Sequence, residues 1–209
     1  MFVPVFAIGR PGCGKSTASR YMIECMRNQG WKTERIKDYD FLYEMFRSGD
    51  PRFRRAAYDG FDVCDFSVLD EVLCSVQDKT LENIASTGNT FVTIEFARDD
   101  YAQALKLFDE DLLNQAHFLF VDARLEICIQ RIHERVKNPV KPDNHFVSDE
   151  IVKGYYSKEN LSYMQSQFSK DFRIDPSHMK IITNNDSQEE FIGKVKGFLD
   201  EMINVPVLR

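Results

Sequence analysis

Gly9-Arg10-Pro11-Gly12-Cys13-Gly14-Lys15-Ser16-Thr17 fits G-x-x-x-x-G-K-[ST], the phosphate-binding loop, with Gly9, Gly14, Lys15 and Ser16 at its fixed positions. The flanks suit the motif. Val3-Pro4-Val5-Phe6-Ala7-Ile8 is a short apolar run of the kind that forms a buried parallel strand. From Ser16 to Met26 apolar residues recur at helical spacing. Glycines let the backbone curl so that successive N–H groups face an anion, and the following helix adds its positive end. The candidate nucleotide contacts are therefore Gly9, Gly12, Cys13, Gly14, Lys15, Ser16 and Thr17. In this motif Lys15 reaches the β- and γ-phosphates and the Ser16 hydroxyl ligates Mg²⁺. Cys13 reads either as a small residue whose N–H matters or as a redox-sensing thiol.

Outward from the loop, strands and helices alternate. Trp31–Lys37 reads as a second strand, followed by Asp38-Tyr39-Asp40 and a short helix from Phe41. Residues 51–65 read as irregular, with Arg52, Arg54 and Arg55 among Phe53, Tyr58 and Phe61. Such a mixture suits substrate contact, with Arg55 a candidate, or a solvated loop with its own apolar cluster. A long amphipathic helix spans Phe66 to Ala85 and is ended by Thr87-Gly88-Asn89. Thr90–Ile94 is a third strand, with Glu95 at its carboxyl end and Arg98 three residues on. A helix over 100–114 has a break near Asp109, and His117–Val121 is a fourth strand. Leu125–Val136 is a helix, a single helix covers about 149–166, and His178–Ile182 is a fifth strand before a final helix to about Ile203.

This alternation implies an α/β fold, a three-layer α/β/α arrangement around a parallel sheet. Ligands of such sheets bind beyond the carboxyl ends of the strands. The loop, Asp38 and Asp40, and Glu95 all fall on that rim. Asp38 or Asp40 is placed to orient or deprotonate an acceptor hydroxyl, with Asp40 the slightly stronger candidate; either can instead cap the Phe41 helix. Glu95 stands where an acid holds Mg²⁺ or contacts substrate, and Arg98 is a substrate-side cation or a surface arginine. Arg131 and Arg135, at i and i+4, share a helix face and can neutralise transferring phosphoryl oxygens, or form a solvated basic face. Asn185, after the last strand, borders the base or serves a turn. That loop lacks the lysine of the guanine-reading N-K-x-D motif.

The chain has 209 residues, 43% hydrophobic and 29% charged, as expected of one domain over 1–209. Its net charge of −6 disfavours a nucleic-acid acceptor, although the 52–61 segment permits one. Five cysteines with no C-x-x-C suggest reduced thiols and a cytoplasmic protein. The N-terminus does not read as a signal peptide, and no apolar run is long enough to span a membrane.

With these residues in view, the chain resembles the small P-loop kinases of the nucleoside and nucleotide kinase superfamily, a group that includes adenylate, shikimate and adenylylsulfate kinases and the zeta toxins. The resemblance rests on Gly9–Thr17, Asp38-Tyr39-Asp40, Arg131 to Arg135 and Asn184 to Ser187. Glu95-Phe96-Ala97-Arg98 stands in place of the family's usual D-R dipeptide. The resemblance implies a five-stranded sheet of order 2-3-1-4-5, a small helical lid at about 124–147, use of ATP and Mg²⁺, and transfer to a small acceptor. A nucleotide-binding ATPase or regulatory module without an acceptor is the reading from a different class.

Overall fold

The computed structural model describes residues 1–84, 88–137 and 145–204. The chain opens with β1 (Phe2–Ile8), α1 (Lys15–Asn28), β2 (Lys32–Lys37) and α2 (Asp38–Arg47). A small hairpin follows, β3 (Phe53–Arg55) and β4 (Phe61–Val63), then α3 (Val68–Ile84) and β5 (Thr90–Phe96). Next come α4 (Tyr101–Ala104), α5 (Glu110–Gln115), β6 (His117–Asp122) and α6 (Leu125–Lys137). The chain finishes with α7 (Asp149–Gly154), α8 (Leu161–Ser166), α9 (Phe168–Asp171), β7 (Met179–Thr183) and α10 (Gln188–Asn204). The expected helix end over 85–87 and the lid segment 138–144 lie outside the described residues.

The main sheet has the order β2-β5-β1-β6-β7, every pairing parallel. Numbered along the chain, these five strands run 2-3-1-4-5, as the resemblance implied. Side chains alternate across the sheet with period two, so each central strand feeds two cores. Phe6, Ile8, Val92, Ile94, Phe96, Phe118 and Phe120 pack on one side with Leu69, Leu73 and Val76 of α3. Val5, Phe91, Leu119, Val121 and Ile182 pack on the other with Met22 and Met26 of α1 and Val195 and Phe198 of α10. Both faces are covered, which is why these strands read as continuous apolar runs rather than alternating ones. Phe6 stacks on Phe118 at 5.1 Å and meets Phe108 edge-on at 5.0 Å.

Three local expectations need correction. Helix α2 begins at Asp38, three residues before Phe41, which changes where both aspartates point. Residues 51–65 are not wholly irregular: β3 and β4 pair antiparallel, Phe53 opposite Val63 and Arg55 opposite Phe61. The single helix over 149–166 is interrupted by a 3₁₀ turn at Tyr155–Ser157. The reason for that break is tertiary. Arg10 of the phosphate loop donates to the carbonyls of Tyr156, Ser157 and Lys158, and Asn160 Nδ2 also donates to Lys158. Carbonyls turned toward a guanidinium are not available to continue a helical ladder. No helix among the described residues is long and apolar enough to cross a membrane.

Candidate active site

The loop between β1 and α1 forms one wall of a cavity of about 520 Å³ at the carboxyl rim of the sheet. Gly12 and Gly14 carry φ of 82° and 117°, a backbone region that side chains disfavour. A Cβ on Gly12 would stand 2.4 Å from the Cys128 carbonyl, and one on Gly14 would stand 2.5 Å from Asn184 Nδ2. The loop is therefore pressed between α6 and the end of β7, and only glycine fits. Gly12, Gly14, Lys15, Ser16 and Thr17 line the cavity. Lys15 Nζ donates to the Gly9 and Arg10 carbonyls at 2.7 and 2.9 Å.

Gly9 and Cys13 lie beneath that surface. Gly9 N–H donates to the Tyr101 hydroxyl at 2.7 Å, and the Cys13 carbonyl accepts from Asn184 Nδ2 at 2.7 Å. Cys13 is fully buried, and burial pushes its thiol up despite Lys15 nearby. A buried thiol held protonated is a poor redox sensor, so the small-residue reading of Cys13 fits and the sensor reading does not.

Asp38 also lines the cavity, and its Oδ2 accepts from Ala97 N–H at 3.0 Å. Burial raises the Asp38 pKa; the charge of Arg98, the Ala97 N–H and Lys15 oppose the rise. Asp40, the slightly stronger candidate from sequence, points elsewhere. Its side chain is 55% exposed and pairs with Lys37 at 2.8 Å. The cause is helical phase: two residues along an α-helix turn the side chain by about 200°.

Glu95, inside β5 rather than just after it, is 3% exposed and borders the cavity. Ser16 Oγ donates to its Oε2 at 2.9 Å. Arg131 and Arg135 both line the cavity from α6. Arg131 donates to the Asn184 carbonyl at 3.0 Å, and Arg135 Nε donates to the His145 carbonyl at 2.8 Å. Arg98 is not a surface arginine. It is 4% exposed and donates to the carbonyls of Ala97 and Leu69, so it lies under Asp38 rather than in the cavity wall. Arg55 is exposed beside Phe46 and outside the cavity lining. Asn185 accepts from Arg124 N–H; its neighbour Asn184 is the one against the loop.

Sequence reasoning reached only part of one side of the cavity, through Phe61. Tyr39, Phe61, Phe66, His145, Phe146 and Tyr156 line it, with Leu42, Val63 and Ile151. Tyr39 stacks on His145 at 3.6 Å and on Phe61 at 5.5 Å. The aromatic content of 52–61 hinted at this bay, yet the arginines of that stretch turn away. Arg52 pairs with Asp50 and Glu71, and Arg54 with Asp62 and Glu150.

No protein-family model matches the chain, and no curated protein matches it. Solved structures do. A gluconokinase from Sinorhizobium meliloti superposes with a TM-score of 0.53 at 14% identity, covering 96% of this chain and 91% of that one. Kti12 of Chaetomium thermophilum, in complex with ADP-AlF3, gives 0.56 at 12% identity and 97% coverage of both chains. The APS kinase of Mycobacterium tuberculosis, in complex with AMPPNP and APS, gives 0.54 at 16% identity, covering 95% and 96%. The fold is that of the P-loop kinases. At these identities the likeness is one of architecture, and the chemistry of this P-loop kinase fold rests on its own side chains.

Proposed function

We propose that this chain is a phosphotransferase that uses ATP and Mg²⁺ to move a γ-phosphoryl group to a hydroxyl of a small acceptor, a nucleoside, nucleotide or similar metabolite. One observation carries the reading: the cavity extends beyond the phosphate loop into an aromatic bay with Asp38 at its edge. Hydrolysis by water needs no such bay.

The residues fit the substrates. The narrow glycine loop and the start of α1 form an anion cradle. Lys15 exchanges two neutral carbonyls for charged phosphate oxygens, which are stronger acceptors. Ser16 and Glu95 are hard oxygen donors on one side of that cradle, the donor type that suits Mg²⁺. The metal, when bound there, would supply charge neutralisation on the phosphate oxygens. Arg131 and Arg135 add positive charge to the same cavity from α6. Asp38 accepts the acceptor's hydroxyl proton as the oxygen bonds to the γ-phosphorus and the bond to the β-phosphate oxygen breaks, releasing ADP.

The test is ADP release with and without a panel of nucleosides, nucleotides, sugars and hydroxy acids. One class of acceptor should raise release at least about tenfold above the water background, with phosphorylated acceptor detected by mass. A rate that no hydroxyl compound changes would leave an ATPase in its place.

A further inference from the structure

Glu95 has more company than a metal-holding carboxylate requires. Besides the Ser16 hydroxyl, its Oε2 accepts from Arg35 Nη2 at 3.2 Å and its Oε1 accepts from Arg35 Nε. The two side chains are only 16% and 4% exposed. Sheet register explains the meeting. Arg35 on β2 stands opposite Thr93 and Lys37 opposite Glu95, so Arg35 reaches its carboxylate diagonally on a shared face. A carboxylate offers about four lone-pair positions, and three are already engaged here.

Guanidinium and divalent cation compete for the same oxygens. The surroundings do not help a free cation either: besides Glu95 the cavity is lined by Asp38, Asp62 and Glu134, but also by Lys15, Arg20, Lys37, Arg131 and Arg135. We propose that Arg35 is a positioning residue that closes the Ser16–Glu95 pair to free divalent cations, so that the metal is accepted only together with the nucleotide's phosphates. The phosphate charge then offsets the guanidinium, and the metal arrives as the metal–nucleotide complex. This rests on the reading of Ser16 and Glu95 as metal donors.

Mn²⁺ binding followed by electron paramagnetic resonance tests it without any turnover. The wild-type protein should bind Mn²⁺ weakly alone and at least about tenfold more tightly with saturating ADP. In Arg35→Met the Glu95 oxygens lose the guanidinium that competes for them, so nucleotide-free Mn²⁺ affinity should rise about tenfold or more and the ADP enhancement should shrink. Arg35→Lys retains the charge and should stay within about threefold of wild type, which separates charge from packing. Arg35→Gln serves for the neutral substitution if thermal melting shows that the methionine variant does not fold. Unchanged nucleotide-free affinity in the neutral variant, with ADP still enhancing Mn²⁺ binding to wild type, overturns the role of Arg35 and leaves the metal site standing. Absence of ADP-enhanced Mn²⁺ binding in the wild-type protein overturns both.

Discussion

Asp38 and Asp40 have the same chemistry, lie two residues apart, and meet different surroundings. Asp38 faces the cavity with a backbone donor; Asp40 faces solvent with a lysine. Asp38→Asn should lower kcat by roughly 10²–10⁴-fold while nucleotide affinity, read by calorimetry, changes little. Asp40→Asn should leave turnover near wild type and alter stability by less than about 1 kcal/mol. Equal losses in the two variants would contradict this assignment. The pH profile carries the same information. A base acts in its ionised form, and burial raises the Asp38 pKa above its ordinary 3.8. The acid limb of kcat/KM should therefore fall at higher pH than an ordinary aspartate would give, and should vanish in Asp38→Asn. The sign for stability is opposite to that of a salt-bridged carboxylate. A raised native pKa contributes most at low pH, and the contribution is lost as pH rises through it. Asp38→Asn should thus melt no lower than wild type at neutral pH, whereas loss of a structural cap would lower the melting temperature.

Among elements, the contact between the phosphate loop and the first turn of α6 matters most. Gly12 lies where a methyl group would strike the Cys128 carbonyl. Cys128 is three residues before Arg131 on the same helix, so a shift of α6 moves the arginine wall as well as the loop. Gly12→Ala should weaken Mg–ADP binding by about tenfold or more and destabilise by roughly 1–3 kcal/mol, measured by calorimetry and by melting. Wild-type affinity in that variant would mean that the loop has room to spare. At this scale the longer elements were readable. Strand runs and the α3 pattern are long enough for their periodicity to show. The three-residue strands β3 and β4 are too short to display alternation, and the break between α7 and α8 follows from Arg10, about 146 residues away along the chain.

For the whole molecule, the sheet brings loops from distant parts of the chain to one rim, and ligand binding should be felt throughout. A nucleotide that binds only the folded state at about 100 times its Kd adds roughly 2.7 kcal/mol. For a chain of this size that corresponds to about 5–10 °C in melting temperature. Mg–ADP should produce such a rise in wild type. In Lys15→Ala, which removes a half-buried side chain bonded to the Gly9 and Arg10 carbonyls, most of the rise should disappear while the unliganded melting temperature stays close to wild type. A full ligand shift in the variant would remove Lys15 from the phosphate site.

The amino-acid order alone determined the phosphate loop, the positions of the five main-sheet strands and the alternating pattern that yields a doubly covered parallel sheet. Those features are written in backbone demands and short-range periodicity, which neighbouring residues express by themselves. Tertiary structure alone decided which aspartate enters the cavity, that Arg98 lies beneath it and Arg55 outside it, and that an aromatic bay faces the loop. It also decided that Arg35 meets Glu95, 60 residues away in the chain. The direction of a side chain depends on the phase at which its helix starts and on the register of strands laid side by side. Neither is encoded within a few residues of the side chain itself.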